Sequence, residues 1–336
     1  MNSPIKETDL EEQAQQNYML GCSYLEEGNF DKAGYYFSQA VEQQPKYLHA
    51  WNNLGVAYYN NKNYEAAEFC FKKALEINPQ QKSALINICY VYKDWEKWER
   101  FFEALKRYFH LFPSDSELPY LYLSYFIGSG EFTAGIQFFE EYFATNSITK
   151  DLVFGLMDLY EKAGQYKQGI EKLKNLLQLN LENQNDAEIW NNLGYFYELS
   201  GDFLEAKKQY QQALKLNEKD PLIWTNTANM YVELNDLEKS LEAYKNALNL
   251  APKDPVIINN FCDLALKMDI SENWEKFAEV LEKSSENMHD YADKLAIYDT
   301  LLKIYIKIGN SQKVEKIQRK IKKNDSENNS KINPEK

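Results

Sequence analysis

A spacing of about 34 residues recurs along the chain and constrains its fold more than any other feature. Pro45, Pro79 and Pro113 follow one another at this spacing, and so do Trp190 and Trp224. A period of this length is typical of a helical hairpin that is repeated along the chain, with each copy burying its apolar face against the next. The period therefore predicts a stack of similar helix pairs instead of one central core.

Residues 51–79 show how one copy is built. Its apolar landmarks fall three and four residues apart in two groups, which places each group on one face of a helix. The polar run 60–63 separates the groups, Gly55 is small where the helices must approach closely, and Pro79, which lacks an N–H, ends the second helix. The landmarks are Trp51, Leu54 and Tyr58 on the first helix, and Ala67, Phe71 and Ala74 on the second.

This pattern, W-x2-L-G-x2-Y followed by A-x3-F and P, resembles the tetratricopeptide repeat. The resemblance covers residues 14–321 and is strongest in the first, second, sixth and seventh repeats. It implies an all-α, right-handed superhelical solenoid of about nine antiparallel helix pairs. Because such repeats are binding frames, it also implies a non-catalytic adaptor that holds a partner protein.

The regularity of the pattern predicts six segments, with a bend or a weak boundary between two halves within residues 116–186. In the third repeat, before these units, Trp95 and Trp98 indicate either local packing or an exposed binding patch. The segments are a polar N-terminal lead (1–13), repeats one to three (14–115), degenerate units four and five with a polar insertion (116–186), repeats six to eight (187–288), a C-terminal capping helix pair (289–323), and a disordered polar tail (324–336).

Composition narrows the classes of function. A formal net charge of −13 disfavours nucleic-acid binding, which relies on many Lys and Arg contacts to phosphate, and specific RNA binding is the more distant alternative. The four cysteines form no CxxC pair, so no disulfide framework, metal site or cofactor is expected. No long apolar run and no apolar leader is present, which predicts a cytoplasmic protein without membrane insertion.

No arrangement of residues indicates catalysis. The three histidines lie apart from one another and from any metal-ligand or Cys–His spacing. The sequence contains no phosphate-binding loop of the G-x4-G-K-[ST] type and no GxSxG nucleophile turn. The chain is therefore predicted not to be an enzyme.

An asparagine recurs two residues after the tryptophan position of the repeat. Within each half of the chain these asparagines are one repeat period apart, so stacked repeats would place their amides in a row. Leu121 and Gly155 interrupt the row in the irregular middle units. In the family this position faces the concave groove and often bonds the backbone of an extended peptide. The resemblance thus implies peptide-binding amides at Asn53, Asn87, Asn192, Asn226 and Asn260. The alternative is that the amides only join adjacent first helices.

Neighbouring groove positions extend both rows and differ between the halves. Aromatic contacts dominate the first half, whereas the carboxylates in the second half favour Lys or Arg on the partner segment. The predicted groove residues are Asn52, Tyr59 and Tyr90 in the first half, and Asn191, Tyr195, Asn229 and Glu233 in the second, with Glu198 and Asp263 as further carboxylates.

Two further hypotheses concern partners. Family members that bind acidic C-terminal chaperone tails use a clamp of Lys, Asn and Arg, but most of the corresponding positions here lack these residues, so such a tail is not expected to bind. The alternative function is a structural scaffold or self-associating subunit of a multiprotein complex. Its predicted contact is the aromatic middle of the chain: Phe138, Phe139, Tyr142 and Phe143.

Overall fold

The computed structural model describes residues 7–146, 149–179, 185–270, 272–288 and 291–332. Eighteen helices and no strand occur in these residues, which confirms the all-α prediction. The helices are α1 (Glu7–Glu26), α2 (Phe30–Gln43), α3 (Leu48–Asn60), α4 (Tyr64–Ile77), α5 (Lys82–Asp94), α6 (Trp98–Leu111), α7 (Leu118–Ser129), α8 (Phe132–Thr145), α9 (Lys150–Lys162), α10 (Tyr166–Leu179), α11 (Ala187–Leu199), α12 (Phe203–Leu216), α13 (Pro221–Glu233), α14 (Leu237–Leu250), α15 (Pro255–Lys267), α16 (Trp274–Asn287), α17 (Tyr291–Lys307) and α18 (Ser311–Ile332).

The helices at the two ends extend into segments predicted to be irregular. Helix α1 begins at Glu7, inside the predicted polar lead, and α18 extends to Ile332, inside the predicted disordered tail. Polar residues can form a solvated helix when a packed helix continues into them, which composition alone does not reveal. Residues 1–6, 180–184, 289–290 and 333–336 lie outside the described residues. They include most of the polar insertion, predicted at residues 182–186, and the start of the predicted capping pair.

The chain divides into two compact units, a first unit of residues 1–164 and a second unit of residues 165–336. Within each unit every helix packs on the next one along the chain, and most successive first helices also touch. The first helices are the odd-numbered ones, α1 to α9 in the first unit and α11 to α17 in the second. They carry the predicted asparagine rows.

A residue with left-handed backbone conformation lies in the turn after each first helix, at φ between +55° and +83°. These residues follow the repeat period throughout the first unit, including its degenerate repeats, so the helix pairs keep their period where the sequence landmarks are lost. They are Gly28, Lys62, Glu96, Gly130 and Gly164 in the first unit, and Gly201, Asn235, Asp269 and Gly309 in the second.

The second helix of a regular pair begins at an Asn or Asp whose side chain accepts a backbone N–H three residues later. Such a cap stabilises a helix by about 1 kcal/mol. The bonds measure 3.2 Å at Asn29 and Asn63, 3.1 Å at Asp202 and 3.4 Å at Asp236. Lys97 holds this position in the third repeat and provides no side-chain cap.

Close helix contact in the regular pairs depends on the glycine of the Leu-Gly dipeptide. A Cβ at Gly55 would lie 2.7 Å from the Phe71 ring, and one at Gly194 would lie 2.7 Å from the Tyr210 ring. Both rings are fully buried. The glycine therefore permits an aromatic ring of the second helix to lie directly on the first helix.

Gly55→Ala is expected to lower the free energy of unfolding by about 2 kcal/mol, because the added methyl overpacks the Phe71 ring. Gly34→Ala is the matched control, since the nearest atom to its added Cβ is 3.9 Å away on Ala57. That change is expected to be neutral or to stabilise by up to about 1 kcal/mol through helix propensity. Urea denaturation followed by circular dichroism measures both, and equal stability of the two variants would contradict this packing.

The two tryptophans of the third repeat take part in local packing. The Trp98 ring lies directly on Gly128 of α7, where a Cβ would overlap it. Trp95 stacks on Tyr64, with ring centres 6.3 Å apart. The local-packing alternative therefore describes these residues.

Candidate functional site

The amides predicted in the first unit join successive first helices. The Asn87 Nδ2 on α5 donates to the Oδ1 of Asn52 on α3 at 3.3 Å, and Asn52 is buried. The half-buried Asn53 donates to the hydroxyl of Tyr18 on α1 at 3.3 Å and lies 3.7 Å from the Cys22 sulfur. These hydrogen bonds therefore join adjacent first helices, as the alternative interpretation of the amides predicts.

The second unit repeats this arrangement. The Asn226 Nδ2 on α13 donates to the Oδ1 of Asn191 on α11 at 3.1 Å, and Asn191 is only 5% exposed. Asn192, one residue further, donates to the Glu188 carbonyl of its own helix at 2.9 Å. Asn226 and Asn192 are half-buried, so both retain a surface that a ligand can reach.

The predicted aromatic positions also have internal partners. Tyr59 donates to Asp94 at 2.5 Å, and Tyr90 donates to Glu117 at 3.0 Å, in each case from one first helix towards the next. Burial and the Glu117 carboxylate raise the pKa of Tyr90 to about 12, so its hydroxyl remains a donor at neutral pH. Tyr195 of the second unit is half-buried, with its ring nearly perpendicular to that of Phe196 and the ring centres 6.3 Å apart.

A pocket of about 420 Å³ opens on the first-helix face of the second unit. It brings together three of the predicted residues, Asn229, Glu233 and Asn260, on α13 and α15. The Asn229 Oδ1 accepts the Tyr244 hydroxyl of α14 at 2.5 Å. Beside them, the Asn259 Oδ1 is buried and has no hydrogen-bond partner among the described residues. Asn259 therefore lines the pocket, while its acceptor oxygen is buried behind the pocket surface.

Carboxylates surround this pocket. Burial raises the pKa of Glu198, an effect opposed by the Tyr210 hydroxyl, which donates at 2.7 Å, and reinforced by Glu233. Burial, Glu198 and Asp263 together raise the pKa of Tyr244. Glu198, Glu233 and Asp263 thus lie close enough to influence one another or the same tyrosine, and this side of the second unit favours a cation.

A lysine from the final helix pair already pairs with part of this acidic surface. The Lys303 Nζ on α17 lies 2.6 Å from Asp263 and 2.8 Å from Asp299, and all three line the pocket. The ion pairs raise the pKa of Lys303, with Asp263 as the first cause. Glu233, in contrast, is exposed and has no ion pair among the described residues.

Sequence reasoning missed Asn259, Asp299 and Lys303. The last two lie on α17, outside the repeat signature, where no period predicts which side chains reach the pocket. Asn259 could have been found, because Asn259-Asn260 repeats the paired amides of Asn52-Asn53.

Neither a metal site nor a membrane-spanning helix is found in the part of the chain that the structure describes. No group of three or more His, Cys, Asp or Glu side chains there is arranged to hold a metal ion. Within the same residues, none of the helices combines the length and the apolar character needed to cross a membrane.

Comparisons with known proteins agree with the fold and the repeats. Models of the tetratricopeptide repeat match residues 14–47, 49–81, 187–220 and 222–254. A tetratricopeptide repeat protein from Parabacteroides merdae has a similar crystal structure, with a TM-score of 0.50 at 15% identity, covering 75% of this chain and 98% of that one. No curated protein sequence matches the chain. The chain therefore contains four tetratricopeptide repeats, two in each compact unit, and its structure resembles that of a tetratricopeptide repeat protein.

Proposed function

We propose that the protein is a non-catalytic adaptor that holds an extended, basic segment of a partner protein on the first helices of its second unit. Tetratricopeptide repeats generally mediate protein–protein interactions, and proteins built from them are typically non-catalytic. The predicted cytoplasmic location belongs to the same proposal. The pocket that Glu233 lines together with Asn229 and Asn260 is the observation that carries it.

The amide row supports binding of a peptide backbone. An amide side chain has two N–H donors and an acceptor oxygen, and the bond from Asn226 to Asn191 uses only one donor. That internal bond holds the Asn226 side chain in one orientation, with its oxygen and second N–H left for a ligand. Asn192 is held in a similar way by the Glu188 carbonyl. Amides oriented in advance lose less entropy when a peptide binds.

The charges around the pocket support a Lys or Arg on the bound segment. Asp263 is already partnered by Lys303, but Glu233 is exposed and Glu198 has only the Tyr210 hydroxyl as a hydrogen-bond donor among the described residues. Burial is the main cause of the raised pKa of Glu198, and a cation near Glu233 and Glu198 would relieve the repulsion from Glu233 that adds to it.

An array of random peptides about a dozen residues long tests the proposal, and the bound peptides are expected to be enriched in Lys and Arg. For a selected peptide, Glu233→Lys is expected to weaken binding about tenfold, because the charge reversal replaces attraction by repulsion. Isothermal titration calorimetry measures the affinity. Glu242→Lys, an exposed change on α14 away from the pocket, is the matched control and should leave the affinity unchanged.

The same carboxylates predict a pH dependence. Because the pKa of Glu198 is raised, this group gains its proton before the pH falls to the ordinary glutamate value of about 4.3. Binding of the basic peptide should therefore be strong at neutral pH. As the pH is lowered, binding should begin to weaken before the pH reaches that value. Binding that strengthens as the pH falls, or an array without bound peptides, would contradict the proposal.

A further inference from the structure

The third repeat contains a pocket where other repeats place a tryptophan. The position one period after Trp51 is Leu85, on α5. In the second repeat the Trp51 ring lies edge-on against Phe69, with centres 6.0 Å apart, whereas the position one period after Phe69 is Glu103. Both large rings are thus replaced by smaller side chains. A pocket of about 730 Å³ lies between α4, α5 and α6 at this place.

The repeat tryptophans are oriented by one specific hydrogen bond. The Trp51 indole N–H donates to the carbonyl of Pro45 at 2.9 Å, six residues earlier. In the second unit, Trp224 donates to the carbonyl of Glu218 at 2.8 Å, again six residues earlier. The tryptophan position therefore includes a backbone acceptor for the indole N–H as well as room for the ring.

That acceptor is also present in the third repeat. Six residues before Leu85 is Pro79, whose carbonyl accepts from the Arg107 Nη2 at 3.0 Å. Arg107, from α6, thus donates to the oxygen that an indole N–H bonds in the other repeats. A carbonyl oxygen has two lone pairs, so a second donor can bond it while Arg107 stays in place.

The walls of the pocket suit an aromatic ring. Its apolar surface comes from Leu75, Leu85, Ile88 and Ala104. Two guanidinium groups on α6, those of Arg100 and Arg107, also line it. They are seven residues apart, about two turns, so both lie on the same face of α6. A guanidinium is attracted to the electron-rich face of an aromatic ring, and most strongly to that of tryptophan.

The buried carboxylate of Glu68 holds one of these arginines in place. The Glu68 carboxylate, in a residue only 8% exposed, accepts from the Tyr92 hydroxyl at 2.7 Å and lies 2.6 Å from the Lys72 ammonium. The Arg100 Nη1 lies 3.2 Å from the same carboxylate, while the Arg100 side chain remains 57% exposed. Arg100 is thus anchored at one nitrogen and can present its face to a ligand.

We infer that this pocket, the vacant tryptophan position of the third repeat, binds a tryptophan side chain presented by a partner polypeptide. Room for the ring and two arginines for its faces occur together there, and the Pro79 carbonyl, which Arg107 already bonds, is the acceptor for its N–H. The pocket lies in the first unit, on α4, α5 and α6, so the inference does not depend on the peptide surface proposed for the second unit.

Titration of the isotope-labelled protein with a blocked pentapeptide, tryptophan flanked by two alanines on each side, tests the inference through NMR shifts. Saturable shifts of residues lining the pocket are expected, with a dissociation constant on the order of 1 mM. Leucine in place of tryptophan should weaken binding at least tenfold. A 1-methyltryptophan peptide, which lacks the indole N–H, should bind at least about threefold more weakly than the tryptophan peptide. Equal binding of all three peptides, or binding of free indole but not of the tryptophan peptide, would overturn the inference.

Leu85→Trp fills the pocket with the protein's own indole and is expected to abolish peptide binding. Ala104→Leu narrows the pocket from α6 by a smaller change and should weaken binding at least fivefold, which keeps the test available if Leu85→Trp does not fold. Leu204→Trp is the matched control at an exposed leucine of the second unit and should bind the peptide as the unmodified protein does. Unchanged binding by folded Leu85→Trp or Ala104→Leu protein would overturn the inference.

Discussion

Phe139→Glu is expected to unfold the region around α8 instead of dissociating an oligomer. Phe139 is fully buried, and its ring packs against those of Phe138, Tyr142 and Phe143 at centre distances of 5.2–6.3 Å. Removing a buried phenylalanine ring costs about 3–5 kcal/mol, and placing a carboxylate there adds the cost of burying it. The loss in the free energy of unfolding should therefore be at least about 4 kcal/mol.

Urea denaturation and size-exclusion chromatography together measure this outcome. Leu204→Glu is the control, because Leu204 is 68% exposed, and it should change the unfolding free energy by less than about 1 kcal/mol. Phe139→Glu protein that stays folded while an oligomer separates into monomers would contradict the expectation and restore the scaffold hypothesis. The burial of Phe139 and Phe143 weakens that hypothesis, because neither ring is accessible to a second molecule.

Changing Asn192, Asn226 and Asn260 together to Ala is expected to weaken binding of the selected basic peptide about a hundredfold. Each amide lost removes a hydrogen bond to the peptide backbone worth about 0.5–1.5 kcal/mol. Calorimetry with the peptide measures the loss, and far-ultraviolet circular dichroism verifies that the helices remain. Unchanged affinity would contradict the proposed role of the amide row.

The control separates binding from stability. Asn226→Ala also removes the donor to the buried Asn191, so some loss of stability, about 1 kcal/mol, should accompany the loss of binding. Asn246→Ala with Asn249→Ala, on α14 and away from the pocket, should leave the affinity unchanged. If only the melting temperature falls in the triple variant, the amides join helices and do nothing more.

The third repeat shows which contacts local sequence patterns do not predict. Leu85, at the position of a tryptophan, reads as a weakened landmark in the sequence. In the structure the same substitution accompanies a pocket lined by two arginines, one of which donates to the Pro79 carbonyl. The arginines lie on a different helix, and no spacing within one repeat predicts that they approach the vacated position.

The positions of the glycines, in contrast, can be interpreted from the sequence. The spacing predicts that Gly55 lies where two helices approach closely, and the structure places the Phe71 ring directly on it. The turn residues Gly130 and Gly164 continue the repeat period through units whose other landmarks are missing. Such features depend on backbone conformation within a few residues, so they persist where long-range packing changes.

The sequence by itself determined the helix pairs, their period and the type of repeat, because apolar spacing along a helix decides which face is buried and the period decides how copies stack. Only the tertiary structure decided how the amides are used. The bonds from Asn87 to Asn52 and from Asn226 to Asn191 join side chains of neighbouring repeats, and they form because neighbouring first helices pack at one particular distance and rotation. Burial of Phe139 and exposure of Glu233 were decided in the same way, since both depend on which helix covers which face.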